Sequence, residues 1–375
     1  MSRLLTRLVI SLAGGTLVLP ACHHDSSSPA PAPHASASSA PAVSGSSPGD
    51  AALPSGSDSD EPAFPPEGSP VIPLRPIDFG IYLRTAVSPA VAADTRKKIG
   101  DLFPTATLLS EPGNVPPPTV LVAAPEIEGF ALPPPEMLTR FSLDLSPAQI
   151  AQAESSKGIL VFSWLLDADP TRAELRKAQQ AVLDVARKNG GLIWDETTRE
   201  LYSPESWTKL RVEGWQGDIP DARRHFTTHY YQEDELHRAV TLGLAKLGLP
   251  DLVIEDVAPS MAKGAVEVMD AVAQAFAEGA TVGPRGRLAL DLSTIQHKAA
   301  RAAYLAAAAA NTNATLHGNV TLALAEPEES DAENRLLEVR FDDYPGATAR
   351  ERLTAGIHAI LGTEAAAKEP PSHRP

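Results

Sequence analysis

The stretch GILVFSWLL, residues 158 to 166, is nine residues long, carries no charge and is dominated by β-branched, aromatic and leucine side chains. A run of that kind cannot be an edge strand or a strand with one wet face, so it belongs in the middle of a sheet covered on both sides. The rest of the chain must therefore supply layers for both faces. The punctuation around the run does so. Phe79, Ile81 and Leu83 alternate as a strand, and Ser88 with Pro89 follows as an N-cap and first-turn proline. Ser146, Pro147 and Gln149 repeat the signal as a capping box, and Asp169 with Pro170 starts a third helix. That helix carries Leu175, Ala178, Val182 and Val185 on one face and ends at Asn189 and Gly190.

Residues 77 to 166 thus read strand, helix, strand, strand (119 to 124), helix, strand. The order suits a ferredoxin-like split βαβ unit, with PGNVPPP (112 to 118) and LPPPE (132 to 136) as rigid loops. A helix at 170 to 188, the hairpin LIWDETTRELY (192 to 202) and a helix capped by Ser203 and Pro204 complete a first domain over 77–216. A second unit over 217–362 reads as a strand at 225 to 231, a helix at 233 to 247 and a strand at DLVIEDV (251 to 257). A helix at 261 to 278, a strand at 288 to 293 and an alanine-rich helix at 296 to 310 come next. Strands at 315 to 325 and 335 to 341 precede a last helix at 349 to 361. In RLLEVRF, Leu337, Val339 and Phe341 share one face against Glu338 and Arg340, as a half-buried strand requires. EPEESDAEN (326 to 334) reads as an exposed hairpin loop. The expected class is α/β in the broad α+β sense: mixed sheets with packed helices, the second half a further α/β unit.

The N-terminal side is different. Residues 23 to 70 hold 10 Pro and 13 Ser, with no Lys or Arg and only Phe64 among aromatics. Such a segment cannot bury enough apolar surface to offset its chain entropy. Residues 22–76 are therefore expected to be a disordered Ser/Pro/Ala-rich linker, spanning on the order of 40 Å as a coil, and residues 363–375 a frayed tail. Ahead of the linker, Arg3 and Arg7 form a positive n-region and Leu8 to Leu19 an uncharged apolar stretch. As a helix that stretch reaches only about 18 Å, short of a membrane core. Residues 1–21 read as a secretory signal.

Leu19, Pro20, Ala21 and Cys22 resemble the lipobox of a bacterial lipoprotein precursor. The resemblance implies that Cys22 receives a diacylglyceryl group, becomes the first residue after cleavage and is then acylated on its new amino group. Two or more acyl chains anchor a protein stably where one does not. His23 follows where a retention-type Asp stands in some bacteria, which favours the outer membrane. The alternatives are an ordinary signal peptide with a coincidental cysteine and a misplaced start codon. Over the body, GGLIWDETTRELYSPESW (190 to 207), LGLPDLVIEDV (247 to 257) and AENRLLEVRF (332 to 341) resemble an uncharacterised family of bacterial hypothetical proteins. That resemblance implies no activity and carries no catalytic residues over.

Chemistry-bearing motifs are sparse. A single cysteine excludes an internal disulfide or a Cys-based metal site. There is no H-E-x-x-H, G-x-S-x-G or Walker loop. GPRGR (283 to 287) runs from helix to strand, the wrong sense for a phosphate cradle. A formal charge of −15 repels phosphate backbones, so nucleic acid is not an expected partner. HFTTHYYQEDELH (225 to 237) would put His225 and His229 at metal-binding spacing on a helix, but its Thr and Tyr pairs favour a strand. There His225, Thr227, His229 and Tyr231 share a face and no metal is expected. Asp195 and Glu196 are adjacent, point to opposite faces of a strand and fit a turn better than a glycosidase pair. Trp164, Trp194, Trp207 and Trp215 are either a core or an aromatic platform for glycan, the latter with Tyr231 beside it.

These readings favour an envelope-anchored lipoprotein with a non-catalytic binding or scaffolding body, facing an envelope protein or glycan. No cofactor is indicated. A hydrolase of envelope glycan or peptide, using His225, His229, Asp195 or Glu196, is the alternative. A solute-binding lipoprotein with a closing cleft is a weaker one.

Overall fold

In a computed structural model of the chain, residues 63–72, 76–112, 117–130, 132–133, 138, 144–165, 172–233, 235–325 and 334–364 are described. The leader, Cys22, the linker up to residue 62, Asp169 and Pro170, residues 326 to 333 and the tail from 365 lie outside them. The first sheet is built from β1 (Ile77–Leu83), β2 (Thr107–Leu109), β3 (Thr119–Ala123), β4 (Gly158–Leu165), β5 (Leu192–Asp195) and β6 (Glu200–Tyr202), in the order β2-β3-β4-β1-β5-β6. The apolar run is β4, between β3 and β1. Its Leu160, Phe162 and Trp164 enter one buried cluster and Ile159 another on the opposite face. Burial on both faces is why no polar alternation survives there.

Helices cover this sheet as their caps specify. In α1 (Pro89–Leu102), the Ser88 hydroxyl accepts from the Val91 amide, and α2 (Pro147–Glu154) opens with a full capping box between Ser146 and Gln149. In α3 (Ala173–Asn189), Leu175, Ala178, Val182 and Val185 are all buried, and Gly190 closes the helix in the left-handed conformation. The short α4 (Pro204–Trp207) is capped by Ser203.

The ferredoxin-like arrangement does not form. In a split βαβ unit the second helix connects parallel strands, whereas α2 joins β3 and β4, which are antiparallel neighbours. β4 then pairs antiparallel with β1, and β2 lies parallel to β3 at the edge. Element order alone is shared with the expected unit. Pairing is set by which strands can be covered on both faces, a choice made by the tertiary packing.

Beyond a two-strand ribbon, β7 (Trp215–Gln216) and β8 (Ile219–Pro220), the second sheet takes β9 (Thr227–Glu233), β10 (Leu236–Leu242), β11 (Asp251–Val257) and β12 (Arg287–Asp291). β13 (Asn311–Thr312) lies apart, and β14 (His317–Ala325) and β15 (Leu336–Arg340) complete the sheet, ordered β12-β14-β15-β11-β10-β9. Helices α5 (Ala262–Ala277), α6 (Lys298–Ala309) and α7 (Ala349–Leu361) pack together beside it. β16 (Thr363–Glu364) pairs with β13, so these first two residues of the expected tail are in a ribbon.

The helix expected at 233 to 247 is absent. Residues 236 to 242 are β10, and only Leu244–Leu247 winds, as a single 3-10 turn. Ala239 and Val240 sit at helical spacing from Leu236, but the β-branched Val240 and Thr241 favour a strand and β9 and β11 supply ladders on both sides. The two sheets share a device. β1 reaches edge strand β2 through α1, and β11 reaches edge strand β12 through α5. Each edge strand runs in the sense of the strand that launched it, and two later strands fill the gap.

One apolar cluster runs from Ile77 through Trp207, Ala222 and Phe226 to Leu361, so the core crosses the expected boundary at 216 and 217. Phe79 packs edge-on against Trp207 at 5.2 Å, and Phe162 stacks on Trp164 at 5.5 Å. The linker also ends earlier than composition suggests. Gly68 and Val282 exchange backbone hydrogen bonds of 2.8 and 2.7 Å, the Leu324 amide donates to Ala63, and the Ile72 amide donates to Gly248. Ile72 is buried. Residues 63 to 72 therefore strap the second half before the chain enters β1 of the first. A chain starting at residue 63 should match the full chain in urea unfolding, whereas one starting at 73 should lose about 2 kcal/mol from the burial of Ile72.

Candidate functional site

The β5–β6 hairpin carries two kinds of face. Leu192, Trp194 and Leu201 pack on the smaller cluster with Tyr82 and Phe130, while Ile193 and Tyr202 face the main core. By the two-residue period of a strand, Asp195 continues the face of Ile193 and Glu200 that of Tyr202. Asp195 and Glu200 are direct cross-strand partners. Like charges directly opposed in a sheet destabilise it, and here both are buried, so cations must reach them.

Two cations do. Arg211, from the wide turn Thr208–Val212, places Nε and Nη2 each 3.4 Å from Asp195 Oδ2, and Nη2 lies 3.7 Å from Glu200 Oε2. Its Nη2 also donates to Tyr202 Oη at 2.5 Å, and Nη1 donates to the Arg224 carbonyl. The guanidinium lies 4.8 Å above the Tyr202 ring. Lys246, on the 3-10 turn after β10, donates from Nζ to the same Asp195 Oδ2, and both side chains are 0% exposed. The other oxygen, Oδ1, accepts from the Thr197 amide at 3.2 Å and its hydroxyl at 2.6 Å. Tyr202 Oη donates to Glu200.

The turn holding Lys246 is itself pinned. Asp251 accepts from the Leu244 amide at 3.1 Å, Thr241 Oγ1 at 3.1 Å and Asn334 Nδ2 at 2.8 Å. Gly243, at φ +116°, lets this turn approach the hairpin, since a Cβ there would fall 2.7 Å from Thr198 Cγ2 and 3.0 Å from the His225 carbonyl. Arg172 at the start of α3 donates to the carbonyls of Leu247 and Ala277, another tie between the halves.

Burial and charge act in opposite directions on each group. Burial works to raise the Asp195 carboxyl, but Lys246 and Arg211 hold it below the usual carboxylate range. Burial wins at Glu200, which is pushed up despite Arg211. Burial brings Lys246 down to about 8 against the pull of Asp195. At Asp251 burial raises the carboxyl to about 6.

The histidines separate. His225 is not on a strand but ends the short turn Ala222–Arg224, fully buried, with Nδ1 3.3 Å from Gln179 Nε2. Burial drives its pKa well below the ordinary range, and Arg211, Lys246, Arg172 and Arg224 push the same way, so the ring is neutral. Its Nε2 has no hydrogen-bond partner among the described residues. His229 lies on β9 opposite Val240, with its ring 6.5 Å from that of Tyr231. The shared face expected for four residues therefore holds for Thr227, His229 and Tyr231 and excludes His225. No group of three or more His, Cys, Asp or Glu among the described residues could hold a metal ion.

Glu196 points away from Asp195, as alternation requires, and accepts from Trp194 Nε1 at 2.7 Å. Burial raises it to about 7. Trp164, Trp194 and Trp207 are buried and Trp215 is half-buried beneath Arg176 and against His225, so the four form no exposed platform. Lys246, Arg211, Glu200 and Tyr202 were not legible as a site from the sequence. Only Lys246 leaves a trace, as the single charge in the apolar run LGLAKLGLP (242 to 250). No family model, curated protein or solved structure matches this chain.

This arrangement holds charge in a dry joint; it presents none of it to a substrate. Lys246→Met leaves Asp195 short of a cation and should cost about 3–5 kcal/mol in chemical denaturation. Glu196 titrates in the other sense. Its folded value of about 7 lies above the ordinary 4.5, so its stabilising share is complete below pH 4.5 and lost as pH rises through 7. Between about pH 5 and pH 8 the wild type should therefore lose on the order of 2 kcal/mol more stability than Glu196→Gln.

Proposed function

We propose that this chain is an envelope-anchored lipoprotein whose folded body is a non-catalytic binding or scaffolding element. The observation that carries the second half of this reading is the use made of the charged candidates. Asp195 is saturated by Lys246, Arg211 and Thr197, while His225 sits neutral in the core, away from any bonded carboxylate. General acid–base catalysis needs such groups within reach of a substrate proton. The first half of the reading rests on Arg3, Arg7, the apolar stretch Leu8 to Leu19 and Cys22 after Ala21. His23 favours the outer membrane, and the acidic body favours an envelope protein or glycan over nucleic acid as partner.

No helix among the described residues is long and apolar enough to cross a membrane. The hydrolase alternative keeps one foothold in Glu196, a carboxyl raised to about 7 beside Trp194 on the other face of the hairpin. The solute-binding alternative needs an open cleft between the halves, where the buried Lys246–Asp195 pair instead joins them.

In growing cells, radiolabelled fatty acid should enter the protein and be lost with Cys22→Ala, and mass spectrometry should find the mature amino terminus at Cys22. A mature terminus elsewhere, or an unacylated product, contradicts the anchor. Hydrolysis of purified envelope glycan that disappears in Glu196→Gln would favour the alternative.

A further inference from the structure

The geometry points to Lys246 and Asp195 as a modification site: an amide cross-link between Lys246 Nζ and Asp195 Cγ, formed within the folded chain with loss of one water. Four observations converge on it. Nζ and the carboxylate are already hydrogen-bonded, and both side chains are 0% exposed. Asp195 Oδ1 holds two donors, the Thr197 amide at 3.2 Å and hydroxyl at 2.6 Å, which is what a developing oxyanion needs. A second carboxyl, Glu200, stands directly across the ladder, and Arg211 Nη2 reaches both acids, at 3.4 and 3.7 Å. The two ends lie in different halves, Asp195 on β5 of the first sheet and Lys246 on the 3-10 turn after β10, so the bond would staple halves that have no disulfide available.

Electrostatics prepare the amine and Glu200, while Lys246 and Arg211 hold Asp195 ionised, so its proton has to come from the ammonium within the step itself. Burial lowers the lysine to about 8, easing access to the neutral amine, and raises Glu200 toward its acid form. The step then balances without a co-reactant. One proton passes from the Lys246 ammonium to Asp195 Oδ2, giving an amine and a carboxylic acid. The Nζ lone pair forms the bond to Cγ while the carbonyl π pair moves onto Oδ1, held by Thr197. Glu200 gives its proton to the Oδ2 hydroxyl, which leaves as water with the C–O bonding pair as the carbonyl re-forms. The Glu200 carboxylate then takes a proton from Nζ and returns to its starting state. Net, an amine and an acid become an amide and water. Fixing the two groups in one dry contact supplies the proximity such a condensation requires.

Peptide mapping of the purified full-length protein by mass spectrometry tests this. The expected result is a branched peptide joining the Asp195 and Lys246 segments, one water lighter than their sum, in essentially every chain, with no tryptic cleavage after Lys246. Glu200→Gln keeps the shape of a protonated carboxyl but cannot cycle the proton. It should fold, by circular dichroism, and yield the two segments as separate peptides. Lys246→Arg should do the same. Separate peptides from the native wild type, with cleavage after Lys246, overturn the cross-link and leave an ion pair; linkage that persists in Glu200→Gln overturns the part assigned to Glu200.

Discussion

A carboxylate buried in an apolar joint is the constraint on which the body depends. Asp195 is on a hairpin of the first sheet, and taking it out of water is unfavourable by several kcal/mol unless cations and donors meet it. The groups that do so come from three places: Thr197 on the same hairpin, Arg211 from the turn that follows, and Lys246 from the second sheet. Only the last crosses the halves, and it ties their relative position to the stability of the charge. Gly243 and the Asp251 network exist, in this sense, to bring Lys246 to that position.

Much of the local structure follows from short-range chemistry. Ser88, Ser146 and Ser203 each followed by proline mark three helix starts that form as caps, and Thr348 closes a capping box with Glu351 at α7. The two-sided burial of β4 is written in its unbroken apolar run. What fails is what depends on distant partners. The order β2-β3-β4-β1 cannot be read from element order, and residues 236 to 242 carry a spacing that fits a helix until β9 and β11 flank them. Of the charged joint, Asp195 stands among the sequence candidates and its cations do not, for a related reason. His225 and His229 looked informative because histidines are rare and chemically versatile, whereas Lys246 and Arg211 are common residue types whose meaning appears only once both are in the core.

The boundary between tether and body illustrates the same division. Composition marks residues 23 to 70 as unable to build a core, and no apolar pattern in 63 to 72 argues otherwise. Yet Gly68 forms a reciprocal bridge with Val282, and Ile72 is covered, because the second half offers unpaired backbone groups at the right places. Ala63 and Gly68 thus lie beside β14 and the loop after α5, near Leu324 and Val282, although the chain continues into the first sheet.

If the buried charge cluster and the shared core make the halves one cooperative unit, native-state hydrogen exchange read by mass spectrometry at rising denaturant is the most direct measure. Amides in β4 of the first sheet and in β14 of the second should merge onto a single opening free energy, equal to that of global unfolding. Exchange of β14 with β4 still protected, or the reverse, would mean that each half stands alone and that Asp195 and Lys246 do not join them.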